Sequence, residues 1–240
     1  MIHMTDIKIQ LDPRLRDMIK RRNAAIIPVG SIEQHGPHLP VSTDSDIVSE
    51  VSKRVAKRLN IWLLPTITYG VSAEHAPFFQ LSLKNATLRK VLTDLCHSLR
   101  ENGICTVFLI NGHHGNIKAM TGLGKKKAAE TGFNVHVFSY WHFMQREFDH
   151  AGFAETSLML AISGNVRMKL AEKGLVTKGM DKKEIERLGR LASKSFPAVT
   201  GNGVWGDPTT ATKKAGQAML GEIVRNLQKK CQTCLTDSAL

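Results

Sequence analysis

Short apolar runs along this chain alternate with segments in which apolar residues recur every third or fourth position. The first run, Ala24 to Val29, is uninterrupted and stops at Gly30, as a strand buried on both faces would. After a polar loop, Ile47, Val48, Val51, Val55 and Leu59 recur at helical spacing. Ile61 to Leu64 predicts a second strand, stopped by Pro65. A long loop rich in Gly, Ser, Pro and aromatic residues then runs from Thr66 to Lys84. Leu88, Val91, Leu92, Leu95 and Leu99 predict a second helix, closed by Gly103. Cys105 to Ile110 and Asn134 to Ser139 predict two more strands, with a Lys-rich helix between them. This alternation calls for right-handed crossovers and a mainly parallel sheet covered on both faces. In such sheets ligands bind beyond the carboxyl ends of the strands, so the loops that follow the strands are where chemistry is expected.

Composition changes this picture little. A chain of 240 residues, 42% hydrophobic and 22% charged, is sized for one globular domain spanning 1–240. No apolar run approaches the roughly 18 residues of a membrane span. Met1 to Arg22 lacks a signal-peptide core, so a soluble, cytoplasmic protein with no membrane partner is expected. The net charge of +12 raises nucleic acid as a partner. Its bases, however, are spread over helix faces (Lys53, Arg54, Lys57, Arg58; Lys125 to Lys127). They are dense from Arg167 to Lys194, where acids interleave and no aromatic residue offers a stacking platform. Nucleic acid is therefore not expected, and the surplus charge mildly favours an anionic substrate. Cys96 and Cys105 fit small core positions. Cys231 and Cys234 have ligand spacing but no second pair, and lie near a C-terminus expected to fray.

The post-strand loops are rich in metal-ligand side chains. The first reads Gly30-Ser-Ile-Glu-Gln-His-Gly-Pro-His-Leu-Pro-Val-Ser-Thr-Asp44. In an extended segment residues i and i+2 point the same way, so Glu33 and His35 can face one ion. Asp44 immediately precedes the next helix, where it can cap the N-terminus or bridge two metals. The third strand leads into Asn111-Gly-His-His-Gly-Asn116, with two histidines between glycines at the same sheet edge. Further on, Asp149-His-Ala-Gly-Phe-Ala-Glu155 precedes the apolar run Leu158 to Ile162. This places Glu155 at a helix start and leaves His150 as a free imidazole able to act as acid or base. Mixed imidazole and carboxylate donors suit zinc, manganese or iron better than calcium or magnesium.

These stretches resemble the creatininase (creatinine amidohydrolase) family. The first loop and Asn111 to Asn116 are its most specific motifs. Ser139-Tyr-Trp141, His150-Ala-Gly, Glu155-Thr-Ser and Gly203-Val-Trp-Gly-Asp-Pro208 follow in the family's order. The resemblance implies a three-layer α/β/α fold with a mainly parallel central sheet and a divalent-metal-dependent amidohydrolase with two ions per subunit. One ion would be held by Glu33, Asp44 and His113, and the other by His35 and a bridging Asp44. Creatininase itself supplies a further carboxylate at the position of Gly115. Its absence argues against creatinine as substrate and leaves a ligand position for Glu155. His150 matches the catalytic histidine, with Glu155 beside it, and Trp141 matches a pocket tryptophan. His114 is placed with Trp141 at the substrate, while His38 and His75 are supporting groups. The substrate implied is a small amide, cyclic or formamide. The family also holds formamidopyrimidine-nucleotide deformylases and cofactor-maturing peptidases, and a homohexamer is implied. A non-catalytic binding protein on the same scaffold would need a broken metal set.

Overall fold

A computed structural model describes residues 5–123 and 133–237. Four strands form one parallel sheet in the order β2-β1-β3-β4: β1 (Ala24–Val29), β2 (Trp62–Leu63), β3 (Thr106–Asn111) and β4 (Asn134–Ser139). β1 and β3 are in register from Ala24 opposite Thr106 to Val29 opposite Asn111, so both strands end at one edge. All residues of these two strands are buried, because helices cover both faces.

The side-chain alternation of β1 shows the two layers. Ala24 and Ile26 face one core, packed with α2 (Thr43–Leu59), α5 (Phe153–Ile162) and α8 (Lys213–Asp237). Ala25, Ile27 and Val29 face the other, packed with α1 (Asp12–Arg21), α3 (Asn85–Glu101) and α4 (Ile117–Met120). The architecture is three-layer α/β/α. Each fully buried aliphatic side chain in these cores, such as Ile26, Val51 or Leu92, contributes about 1.5–3 kcal/mol. Strand order reverses between β1 and β3, since the chain winds to β2 on one side and to β4 on the other. The crevice at their carboxyl ends is where such sheets bind ligands.

Some local expectations differ from the structure. The Lys-rich helix after β3 falls mainly at 124–132, outside the described residues; α4 precedes it. Cys105 is exposed, not core. Cys231 and Cys234 do not fray: they sit on the buried face of α8, in line with Ile223, Val224 and Leu227. Of Arg167 to Lys194, only a 3-10 turn at Met168–Leu170 and the helix α6 (Lys182–Ala192) are regular. The chain then enters the short helix α7 (Phe196–Thr200). Among the described residues no helix is long and apolar enough to cross a membrane.

Candidate metal centre

Backbone pairing sets the first two donors. The Glu33 N–H donates to Val41 O (3.0 Å), Gln34 N–H to Phe79 O (2.8 Å) and Leu81 N–H to Ile32 O (2.9 Å). These bonds hold the segment after β1 extended, and Glu33 and His35 converge as i, i+2 neighbours. Asp44 is the second residue of α2 and does not cap it. The cap position belongs to Ser42, leaving the Asp44 carboxylate free to turn toward the two histidines. His113 follows β3, its N–H tied to Asn111 Oδ1 (3.1 Å). Glu155 lies in the first turn of α5, whose free amides at Ala154 and Glu155 are taken by Asp149 (2.9 and 3.3 Å).

The five side chains meet at one point. Asp44 Oδ1 is 3.2 Å from His35 Nε2, and Asp44 Oδ2 is 2.9 Å from His113 Nδ1. Glu33 Oε2 stands 3.2 Å from His113 Nε2, and Glu155 Oε2 stands 3.7 Å from His35 Nε2. Three donor groups result, Glu33–Asp44–His113, His35–Asp44–Glu155 and Glu33–His35–His150, each with its donor atoms within 4.8 Å of one another, and the first two have Asp44 in common. All five residues are buried.

These residues fit metal ions. Three carboxylates buried together are costly without cations. Glu33 Oε1, Asp44 Oδ2 and Glu155 Oε1 have no aligned hydrogen-bond partner despite full burial. The imidazoles are oriented from behind: His35 Nδ1–H donates to Glu33 O (3.1 Å) and His113 Nε2–H to Val71 O (2.8 Å). With an ion bound, these bonds would leave His35 Nε2 and His113 Nδ1 to offer lone pairs on the carboxylate side, as ligating histidines do.

Electrostatics sets what an ion must displace. Burial alone would raise Glu33 and Asp44, but the facing histidines outweigh it and hold both carboxyls well below their usual range. Burial opposes charge on His35 too, yet Asp44 and Glu155 raise it to about 10. Without an ion, His35 therefore carries a proton at pH 7. A metal needs that lone pair, so binding expels the proton, and affinity rises with pH up to about 10. Zinc titrations of stripped protein at pH 7, in buffers of different protonation enthalpy, should show at least one proton released as the site fills. Binding with no proton release would contradict this electrostatic account.

A second group of residues adjoins the centre. The two Gln34 Nε2 hydrogens go to His75 Nδ1 (2.9 Å) and Gly203 O (3.3 Å). His150 Nε2–H then donates to Gln34 O (3.2 Å), leaving Nδ1 with a lone pair 3.9 Å from Glu33 Oε1. The His150 ring stacks on His35 at 4.3 Å. Burial, with His35 and His75 close by, holds His150 well below the ordinary histidine range. Trp205 fixes the His150 backbone through paired bonds of 3.0 and 2.8 Å, which gives the Gly203 to Pro208 motif its role. Gly203, at φ 78°, has no room for a Cβ because Gln34 Oε1 fills that space. Phe196 of α7 lies 4.6 Å from His150 and 4.7 Å from His75, bringing the end of the basic segment onto the site.

Not every expected residue joins the cluster. His38 bonds Thr156 Oγ1 (2.8 Å), one residue beyond Glu155. Trp141 is buried against Phe148 (4.6 Å), and exposed His114 lies 6.4 Å from its ring. Asp207 is engaged with Thr209, away from the centre. Gln34, Phe196 and Glu74, whose Oε1 lies 3.9 Å from His113 Nε2, join the site without being singled out by the sequence. Only Gln34, set between the Glu and the His of the first motif, carried a signal.

Gly115 has a structural reason. A Cβ there would overlap the Val71 carbonyl that orients His113, and would lie 2.5 Å from His113 Nε2 and 2.8 Å from Glu74 Oε1. Gly115→Ala should weaken the ion at Glu33, Asp44 and His113 by about 10–100-fold, a usual effect of disturbing a ligand's support. Overpacking should also cost about 1–3 kcal/mol of stability. Metal titration and urea denaturation read the two effects, and wild-type values in both would contradict the assignment.

Known proteins resemble this chain along nearly its whole length. The creatininase family, described as creatinine amidohydrolase, matches residues 12–231. A mycofactocin precursor peptide peptidase of Mycobacterium ulcerans (strain Agy99) is 36% identical over 212 residues, covering 83% of this chain and 80% of the relative. A creatinine amidohydrolase of Pseudomonas putida is 32% identical over 165 residues, 57% of this chain and 63% of the relative. The solved structure of creatinine amidohydrolase (creatininase) superposes with a TM-score of 0.77 at 24% identity, covering 94% of this chain and 96% of that one. A structure described as creatininase Mn gives 0.79 at 23%, covering 95% and 98%. With its fold, its motifs and nearly its whole length matched, the chain belongs to the creatininase family of hydrolases.

Proposed function

We propose that this chain is a two-metal hydrolase of an amide C–N bond. Glu33, Asp44 and His113 would hold one ion, and His35, Asp44 and Glu155 the other. The carrying observation is the pair of buried donor triads sharing Asp44. Zinc, manganese or iron suits these donors. Ions held there would supply an activated water near neutral pH and polarisation of a carbonyl oxygen. His150, held neutral, takes a proton at Nδ1 and gives it to the leaving nitrogen. Gln34 and Trp205 keep that imidazole in place, and Phe196 shields it from water on one side. Glu155 belongs to both the ion's donors and the catalytic cluster.

The substrate class is a small amide other than creatinine, since Gly115 stands where creatininase has a carboxylate. Cleavage of a peptide's amide bond is the second possibility. It is favoured because the peptidase relative matches over four-fifths of both chains while the creatinine hydrolase matches over less than two-thirds. A panel on metal-loaded protein separates these outcomes: ring opening of creatinine, formate release from formamides, and cleavage of short peptides. Turnover of a formamide or peptide, abolished by chelator and restored by zinc or manganese, is expected. No turnover of any class by protein holding two ions would leave a binding protein.

A further inference from the structure

Tyr140 is fully buried, yet its hydroxyl has no aligned hydrogen-bond partner. It follows β4 directly, in a 3-10 turn (Tyr140–Phe143) at the edge of the sheet that carries the metal donors. Its ring packs in T-shaped contacts with Trp141 (5.4 Å) and Phe148 (6.1 Å), which hold it in place. Glu155 lies within hydrogen-bonding reach of it, and Glu155 Oε1 is also buried without a partner. The other oxygen, Oε2, is held at 2.7 Å by the N–H of Ala151, a buried residue with φ 52°. Holding a non-glycine residue there costs energy and marks this carboxylate as one whose orientation matters.

An unmatched buried donor beside an unmatched buried acceptor is an unstable pairing unless the two serve each other. We propose that Tyr140 is a positioning residue whose hydroxyl donates to Glu155 and holds that carboxylate in place for the ion shared with His35 and Asp44. This rests on the two-ion function proposed above.

The test is zinc titration of the chelator-stripped full-length chain, comparing wild type, Tyr140→Phe, Glu155→Gln and the double variant. Tyr140→Phe keeps the ring and removes one oxygen. It should bind the first ion as wild type does and the second about 10-fold or more weakly. The double variant should bind the second ion no more weakly than Glu155→Gln alone, because both changes act through one carboxylate. Additive losses, equal weakening of both ions, or wild-type affinities in Tyr140→Phe would overturn the proposal. Wild-type protein that takes up fewer than two ions would overturn the two-ion function itself, and this proposal with it.

Discussion

Replacing Asp44 with Ala is expected to remove both ions and lower hydrolysis by on the order of 10⁴-fold or more. The size of the effect follows from sharing. Asp44 Oδ1 faces His35 Nε2 at 3.2 Å and Oδ2 faces His113 Nδ1 at 2.9 Å, so one substitution takes a donor from each triad. The remainder, Glu33 with His113 and His35 with Glu155, offers two donors per ion. Losing Asp44 also removes a main counter-charge of His35 and His113. Asp44→Asn, which keeps the shape and loses the charge, should likewise lose at least one ion. Bound metal and turnover measured on the same preparation check this. An Asp44→Ala protein that keeps two ions, or its activity, would refute the shared carboxylate.

His150→Gln should separate chemistry from metal binding. Its expected loss in kcat is about 10²–10⁴-fold, the range for one general acid–base group, with both ions retained and KM little changed. The separation follows from position. His150 Nδ1 is 3.9 Å from Glu33 Oε1, near the first ion's donors, while its Nε2 is spent on Gln34 O. Glutamine is close in size, so the packing against His35 and Phe196 has little to collapse into. Turnover of the substrate found in the panel is the readout. Activity within a few-fold of wild type would remove His150 from the chemistry.

How much of this was legible in the sequence depended on the range of each interaction. β1 and β4 coincide with the runs Ala24 to Val29 and Asn134 to Ser139, because strands in a covered parallel sheet need uninterrupted apolar or alternating stretches. β3 is offset by one residue, and β2 is trimmed to Trp62 and Leu63 at the sheet edge. Glu33, His35, Asp44, His113 and Glu155 stand out in the sequence because each lies in a loop after a strand or at a helix start, where local spacing decides direction. The structure brings all five together.

Residues that act across the chain were not visible. Gln34 supports His75, 41 positions away, and meets His150, 116 away. Phe196 meets His75 and His150, both far from it in sequence. Tyr140 lies in the Ser139-Tyr-Trp141 motif, but the role proposed for it depends on a buried neighbour in α5. Asp44 is expected just before α2, yet the N-cap position falls at Ser42, two residues earlier, a difference that spacing does not resolve. Cys231 and Cys234 share helical spacing with Ile223, Val224 and Leu227, and that spacing, not their place late in the helix, decides their burial.

The most direct test is the number of transition-metal ions per chain in protein purified without chelators, counted by elemental mass spectrometry. Two buried triads sharing Asp44 predict a value near two. A value near one would contradict the shared centre, and no metal, with none taken up from added zinc or manganese, would contradict the hydrolase mechanism altogether.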